Sequence, residues 1–210
     1  VTFMFLVSLN RELRNKNWFK ENNFIEPNLI NCLDLVSLGT VCDVVPLIGL
    51  NRAIVKQGLK VFKSKKNLGL KTLLDICKIE SNPSIYHLGY LLGPRINAGG
   101  RVGDSRIGVK LLTTSAENIS SILSKKLCDF NNLRKSIEHK VEKEAISQVI
   151  LEDQNIICVH NKNWHPGVLG IVASKLTKKF MRPSIVISGD NEVCSASCRS
   201  VKSFDIGKFI

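Results

Sequence analysis

Residues 115–150 contain neither glycine nor proline, although the 210-residue chain has 14 glycines and 6 prolines. An unbroken stretch of this kind reads as one long helix, starting at Ser115 with Glu117 or Asn118 in its first turn. Ile119, Ile122, Phe130, Leu133, Ile137, Val141, Ala145 and Val149 follow at steps of mostly three and four, which predicts a single apolar stripe. At 1.5 Å per residue the helix would span roughly 50 Å, more than the diameter of a small domain. A helix of that length bridges two domains or pairs with a partner, so the chain is expected to change character on either side of it.

It does. Before residue 115 the pattern is helical: residues 1–16, then Pro27 to Leu38 with Gly39 as its end. Asn51 suits an N-cap for a helix reaching Phe62, and Leu68 to Cys77 and Ile107 to Leu112 keep helical spacing. Thr40 to Leu47 is a short β-branched apolar segment interrupted by one charge, Asp43. After residue 152, Asn155 to His160 reads as a buried strand and Pro166 to Phe180 as a helix. Pro183 to Ser188 reads as a second strand and Glu192 to Ser197 as a third. Strand, helix, strand predicts an α/β domain.

The net charge is +12, from 30 Lys and Arg against 18 acids. That excess favours a polyanionic partner, nucleic acid or an anionic surface, although lysine-rich composition alone raises charge without binding. The 7 cysteines form no CxxC pair, which argues against a zinc ribbon, and Cys194 and Cys198 read as small buried residues. The longest apolar run, Val1 to Leu9, is about half of what a membrane span needs. With no start methionine and a helix beginning near Asp205, both ends read as cut from a longer protein, cytoplasmic and soluble.

Four places could carry chemistry. Gly93 to Asp104 holds four glycines and two arginines, Arg95 and Arg101. It reads either as a turn with two solvated cations or as a flexible loop gripping an anion. Asp43, with apolar residues on both sides, is expected to be buried and therefore hydrogen-bonded, paired or bound to metal; a turn-capping role is the alternative. His165 stands where a strand gives way to a helix beginning at Pro166, placed to cap the turn or to meet a phosphate at the helix N-terminus. Ser195 to Ser200 surrounds Arg199 with hydroxyls, a phosphate pocket or a polar hairpin turn. His87, His139 and His160 show no metal spacing and read as structural or surface residues.

Taken in order, these segments resemble the DHH phosphoesterase family, specifically its RecJ-type single-stranded-DNA exonucleases. Residues 33–47, LDLVSLGTVCDVVPL, look like the fourth catalytic motif, and residues 92–101, LGPRINAGGR, like the signature that follows it. Residues 164–176, WHPGVLGIVASKL, resemble the DHH-associated domain. The resemblance implies an α/β fold in three parts: the C-terminal, mostly helical part of a DHH domain (1–114), a long connector helix (115–151) and the start of the DHH-associated substrate-binding domain (152–210). By it, Asp43 is a catalytic ligand of a two-metal centre, Mn²⁺ or Mg²⁺, whose other ligands precede residue 1. Arg95, Asn97, Arg101 and His165 hold DNA phosphates, and Ser197 with Arg199 receives the 5′ end. The family works on single-stranded DNA in repair and recombination, 5′→3′, with single-strand-binding protein and a helicase as helpers and no membrane. The resemblance makes the 210 residues alone inactive as a nuclease. It leaves two alternatives, a DHH hydrolase of short oligonucleotides or cyclic dinucleotides, and a non-catalytic nucleic-acid-binding scaffold. Lys202 and Ser203 stand where the family has a Pro-Gly pair.

Overall fold

A computed structural model describes residues 1–64, 66–80, 82–150, 155–190 and 192–209. The chain clusters into two compact units, residues 1–96 with 110–125, and residues 97–109 with 126–210. The division therefore falls inside the long helix rather than at its two ends; residues 151–154, where the last domain was expected to begin, lie outside the described residues.

The described elements of the first unit are helical. Helices α1 (Thr2–Asn15) and α2 (Trp18–Glu21) precede a 3-10 turn (Leu29–Cys32), α3 (Leu33–Cys42), α4 (Gly49–Lys63) and α5 (Leu68–Ile76). Gly39 does not end α3 but lies inside it: the helix follows a 3-10 turn capped by Asn28 and runs on to Cys42. Asn51 likewise is not the cap of α4: Ile48 holds that position, and the Asn51 side chain donates to the Pro46 carbonyl. Helices α3 and α4 approach so closely that a Cβ on Gly58 would overlap Ser37 Oγ and the Leu33 carbonyl. A π-helix (His87–Leu92) leads directly into α6 (Gly93–Val102), so the glycine-rich segment expected as a turn or loop is helical. Its glycines serve packing: a Cβ on Gly93 would overlap Cys42 Sγ in the first unit, and one on Gly103 would overlap the Phe130 ring in the second.

Helix α7 (Arg106–Thr113) is followed by α8 (Glu117–Ser147), 31 residues long. The stripe that α8 buries is not the one its apolar residues predict. Ile119, Ile122 and Leu133 are exposed, whereas Ser120, Ser124, Leu127, Asn131, Glu138, Val141 and Ala145 are buried. Partners explain most of the polar members. In the first unit Ser120 Oγ meets Thr72 Oγ1 at 2.8 Å. In the second, Asn131 and Glu138 accept from Arg134, and Lys175 bridges Glu138 and Glu142 at 2.7 Å each. Burial opposes the Lys175 ammonium, but the two carboxylates outweigh it and its pKa is raised.

The second unit carries the sheet, β1 (Ile157–His160), β2 (Ser184–Gly189) and β3 (Cys194–Arg199), with β1 parallel and β3 antiparallel to β2. Helix α9 (Pro166–Phe180) joins β1 to β2. Ile157, Val159 and Val186 alternate onto one sheet face and pack with Trp164, Val168, Leu169, Val172 and Leu176, joined by Val141 and Ala145 of α8. Trp164 Nε1 donates to Glu144 Oε2 at 2.7 Å, and Ser188 Oγ donates to the Trp164 carbonyl. Lys202 and Ser203 form the turn of a small bridge between Val201 and Phe204, ahead of α10 (Ile206–Phe209). None of the seven cysteines is buried; Cys194 is exposed and Cys198 half-buried, contrary to the expectation that both are small buried residues.

Candidate phosphate-binding site

Each unit presents its own share of the residues singled out from the sequence. In the first, α3 ends on Asp43, whose amide donates to the Gly39 carbonyl. Val44 and Val45 then donate to the Val41 and Thr40 carbonyls, and Val44 takes φ +54°. This pair of bonds is a Schellman ending with a β-branched residue at the position glycine normally fills. The turn directs Asp43 outward: it is exposed, not buried as its apolar flanks predict. A carboxylate at a helix C-terminus faces the negative end of the helix dipole, where a cation would be favoured. Beside it an apolar cavity of about 310 Å³ is lined by Val41, Cys42, Val44, Val45, Tyr90 and neighbours. Burial, and then the charge of Asp43, push the Cys42 thiol up to about 11.

The buried carboxylate of this motif is a different one, Asp34. It is 3% exposed, accepts from the Leu35 amide at 2.7 Å, and burial raises its pKa. Arg95, in the first turn of α6, is half-buried rather than free: Nη1 donates to the Leu91 carbonyl at 2.7 Å. Its Nε is buried with no hydrogen-bond partner, an unmet donor that an anion would satisfy. Asp43 is a hard oxygen ligand of the kind Mn²⁺ or Mg²⁺ takes. Among the described residues, however, no group of three or more His, Cys, Asp or Glu could hold a metal ion. The described residues by themselves do not make a metal centre.

The second unit brings four of the candidates to one side of α9. His165 is the N-cap, and its Nδ1 accepts from the Gly167 amide at 3.1 Å. That bond leaves the neutral ring's proton on Nε2, a donor free for an outside acceptor. A Cβ on Gly167 would overlap the carbonyl oxygen of Arg101, and the exposed Arg101 guanidinium returns a hydrogen bond to the Gly167 carbonyl at 3.3 Å. One turn further along α9, a Cβ on Gly170 would lie 3.0 Å from both Ser197 Oγ and Arg199 Nη2. Ser197 and Arg199 sit on β3 itself, not in a turn after it. Asn97, also in this unit, is exposed on α6.

The result is a helix face without side chains at 167 and 170, where the Arg101 main chain packs on Gly167, its guanidinium reaches the Gly167 carbonyl, and Ser197 with Arg199 lies beside Gly170. Such a face suits a phosphate, which two guanidinium forks and a hydroxyl can hold. Sequence reasoning picked out the two arginines and Ser197 but missed Ser174, one turn beyond Gly170, whose Oγ accepts from Arg199 Nε at 2.8 Å. Nothing in its local pattern separates Ser174 from an ordinary helix serine.

Known proteins resemble this chain along most of its length. Residues 137–210 match the DHHA1 domain. The chain is 37% identical over 212 residues to the single-stranded-DNA-specific exonuclease RecJ of Salmonella typhimurium, covering 96% of this chain and 37% of that protein. It is 36% identical over 181 residues to RecJ of Bacillus subtilis, covering 83% of this chain and 23% of that one. The crystal structure of Thermus thermophilus RecJ in complex with Mg²⁺ superposes with a TM-score of 0.79 at 27% identity, over 90% of this chain and 29% of that one. A RecJ structure bound to manganese gives 0.76 at 27% identity, over 90% of this chain and 47% of that one. The chain thus spans about a third of the length of the curated relatives it matches. It is similar, over nearly all of its own length, to about a third of the RecJ exonucleases, and its residues 137–210 carry the match to the DHHA1 domain.

Proposed function

We propose that these 210 residues form the part of a 5′→3′ single-stranded-DNA exonuclease that grips the substrate's phosphates, acting in DNA repair and recombination. The observation that carries the reading is the pair of guanidiniums beside α9, Arg101 at Gly167 and Arg199 with Ser197 at Gly170. Phosphate contacts of this kind position a strand without reading its bases, as an exonuclease indifferent to sequence needs. Arg101, Asn97 and His165 Nε2 would hold backbone phosphates, with Ser197 and Arg199 at the 5′ end. Arg95, through its unmet Nε, would hold a phosphate in the first unit. Asp43 would supply one oxygen to a divalent metal, Mn²⁺ or Mg²⁺, whose chemistry is activation of the attacking water. Its remaining ligands would come from outside these residues, so the chain alone would bind DNA without cutting it. The domain reading is residues 1–114 as the C-terminal part of the DHH domain, 115–151 as connector and 152–210 as the substrate-binding domain. The net charge of +12 and the absence of any membrane-spanning helix among the described residues agree with a cytoplasmic DNA-processing role, with single-strand-binding protein and a helicase as partners.

The test is binding and cleavage by the purified chain. Fluorescence anisotropy with a single-stranded oligonucleotide should show binding that weakens steeply with salt and falls with Arg101→Ala or Arg199→Ala. Incubation with Mn²⁺ should release no nucleotides. Salt-insensitive binding would refute the phosphate reading, and manganese-dependent digestion would refute the claim that the metal ligands are incomplete.

A further inference from the structure

The Arg199 guanidinium is not loose. Nε donates to Ser174 Oγ at 2.8 Å and Nη1 to the carbonyl of Cys198 at 2.7 Å. Ser174 in turn donates its only hydroxyl proton to the Gly170 carbonyl at 3.0 Å. That commitment fixes the polarity of the hydroxyl: its proton is used, so toward Arg199 it acts as an acceptor. Two of the three guanidinium nitrogens are therefore tied to protein, and Nη2 is left beside the bare face at Gly170. Arginine's fork gives most when its plane is set before the ligand arrives, because a free side chain must otherwise surrender its rotamers on binding.

We infer that Ser174 is a positioning residue: it orients Arg199 so that the Nη2 edge of the fork meets a terminal phosphate of the substrate. The inference rests on the reading that Arg199 binds phosphate. Ser174 touches no substrate in this account. It acts through Arg199, and the half-buried place of Ser174 on α9, one turn past Gly170, makes the arrangement part of the fold rather than of a surface loop. Threonine keeps the hydroxyl and the helical Oγ-to-carbonyl bond, so it should serve in place of serine.

The experiment uses the 210-residue chain and two single-stranded oligonucleotides, labelled at the 3′ end and alike except for a 5′-phosphate or a 5′-hydroxyl. Ser174→Ala should weaken binding of the phosphorylated strand about tenfold, the scale of one hydrogen bond to a charged group. It should leave the 5′-hydroxyl strand within about twofold, and Ser174→Thr should keep wild-type affinity. In an Arg199→Ala background, Ser174→Ala should add no further loss, since a residue that acts through another has no effect once the other is gone. Independently of any ligand, the Arg199 Nε–H resonance should be protected from exchange with water in the wild type and in Ser174→Thr, and should lose that protection in Ser174→Ala. An additive loss in the double variant overturns the inference, as does equal weakening of both oligonucleotides or unchanged Nε–H protection. If Arg199→Ala itself binds the phosphorylated strand as the wild type does, the phosphate reading fails. The resonance result then still tells whether Ser174 holds Arg199.

Discussion

The same substitution, glycine to alanine, should act with opposite sign at two helical positions. Gly167 is the second residue of α9, where an added Cβ would overlap the Arg101 carbonyl oxygen and lie 2.8 Å from its carbon and 3.1 Å from its Cα. All three are backbone atoms, so no side chain can swing aside. Restoring ordinary carbon–carbon contact near 3.5 Å requires the end of α6 to retreat by roughly 0.7 Å, and more to clear the oxygen. Overpacking of this kind costs about 1–3 kcal/mol. The first turn of a helix recovers little of the roughly 1 kcal/mol by which alanine exceeds glycine in a helix interior. Gly167→Ala should therefore lower stability by about 1–2 kcal/mol, a fall in midpoint of roughly 2–8 °C for a chain of this size.

Gly39 lies inside α3 with nothing within 4 Å of the position its Cβ would take. There Gly39→Ala should stabilise by about 0.5–1 kcal/mol. The two tryptophans report separately, Trp18 from the first unit and the buried Trp164 from the second. Urea unfolding followed by fluorescence, with Trp18→Phe to isolate Trp164, reads each change in its own unit. A Gly167→Ala midpoint at or above that of the wild type would refute the close approach of α6 to α9, whatever happened at Gly39.

Other expectations concern the α3 ending and its carboxylate. Val44→Gly should stabilise by about 1 kcal/mol, because valine holds φ +54° there while 85% exposed, so little burial is lost when the strain is relieved; an unchanged or lower urea midpoint would refute it. Burial raises the Asp34 pKa above its ordinary 3.8. Its neutral form therefore contributes stability at low pH that is lost as pH rises through the raised value. Asp34→Asn, which cannot ionise, should gain on the wild type between pH 3 and pH 7, and a difference independent of pH would contradict this. The Cys42 thiol, pushed up to about 11, should resist iodoacetamide at pH 8 while the exposed Cys32, Cys158 and Cys194 react, with the contrast vanishing in urea; rapid native alkylation of Cys42 would sink that account.

Elements whose signals are local were legible in the sequence. Helix α9 runs over Pro166–Phe180 as its first-turn proline and apolar spacing predict, and the β-branched runs fall on β1 and β2. What the sequence concealed was decided at a distance. The buried stripe of α8 admits Ser120 and Glu138 because Thr72 and Lys175 reach them from far along the chain. Apolar flanks made Asp43 look buried, but the α3 ending turns it outward through Val44, a conformation valine rarely adopts and sequence reading would not assign.

The glycines show most clearly why composition alone misleads. A glycine-rich stretch beside arginines suggests a backbone nest of amides around an anion. Here Gly93, Gly103 and Gly167 are each filled by another part of the protein, and the Gly167 amide is already bonded to His165. An anion at α9 must then be held by side chains, chiefly the guanidiniums of Arg101 and Arg199 and the Ser197 hydroxyl. Glycine's part is to let those groups come close: at Gly170 any Cβ would crowd Ser197 and Arg199 at 3.0 Å. A site built this way has its geometry in long, flexible arms, and so depends on whatever fixes the arms. Arg199 has Ser174 and the Cys198 carbonyl for that purpose; among the described residues Arg101 has the 3.3 Å bond to Gly167. In the proposed site the two arginines would therefore be unequal: Arg199 would be set for one position of the phosphate, while Arg101 would follow a strand as it moves.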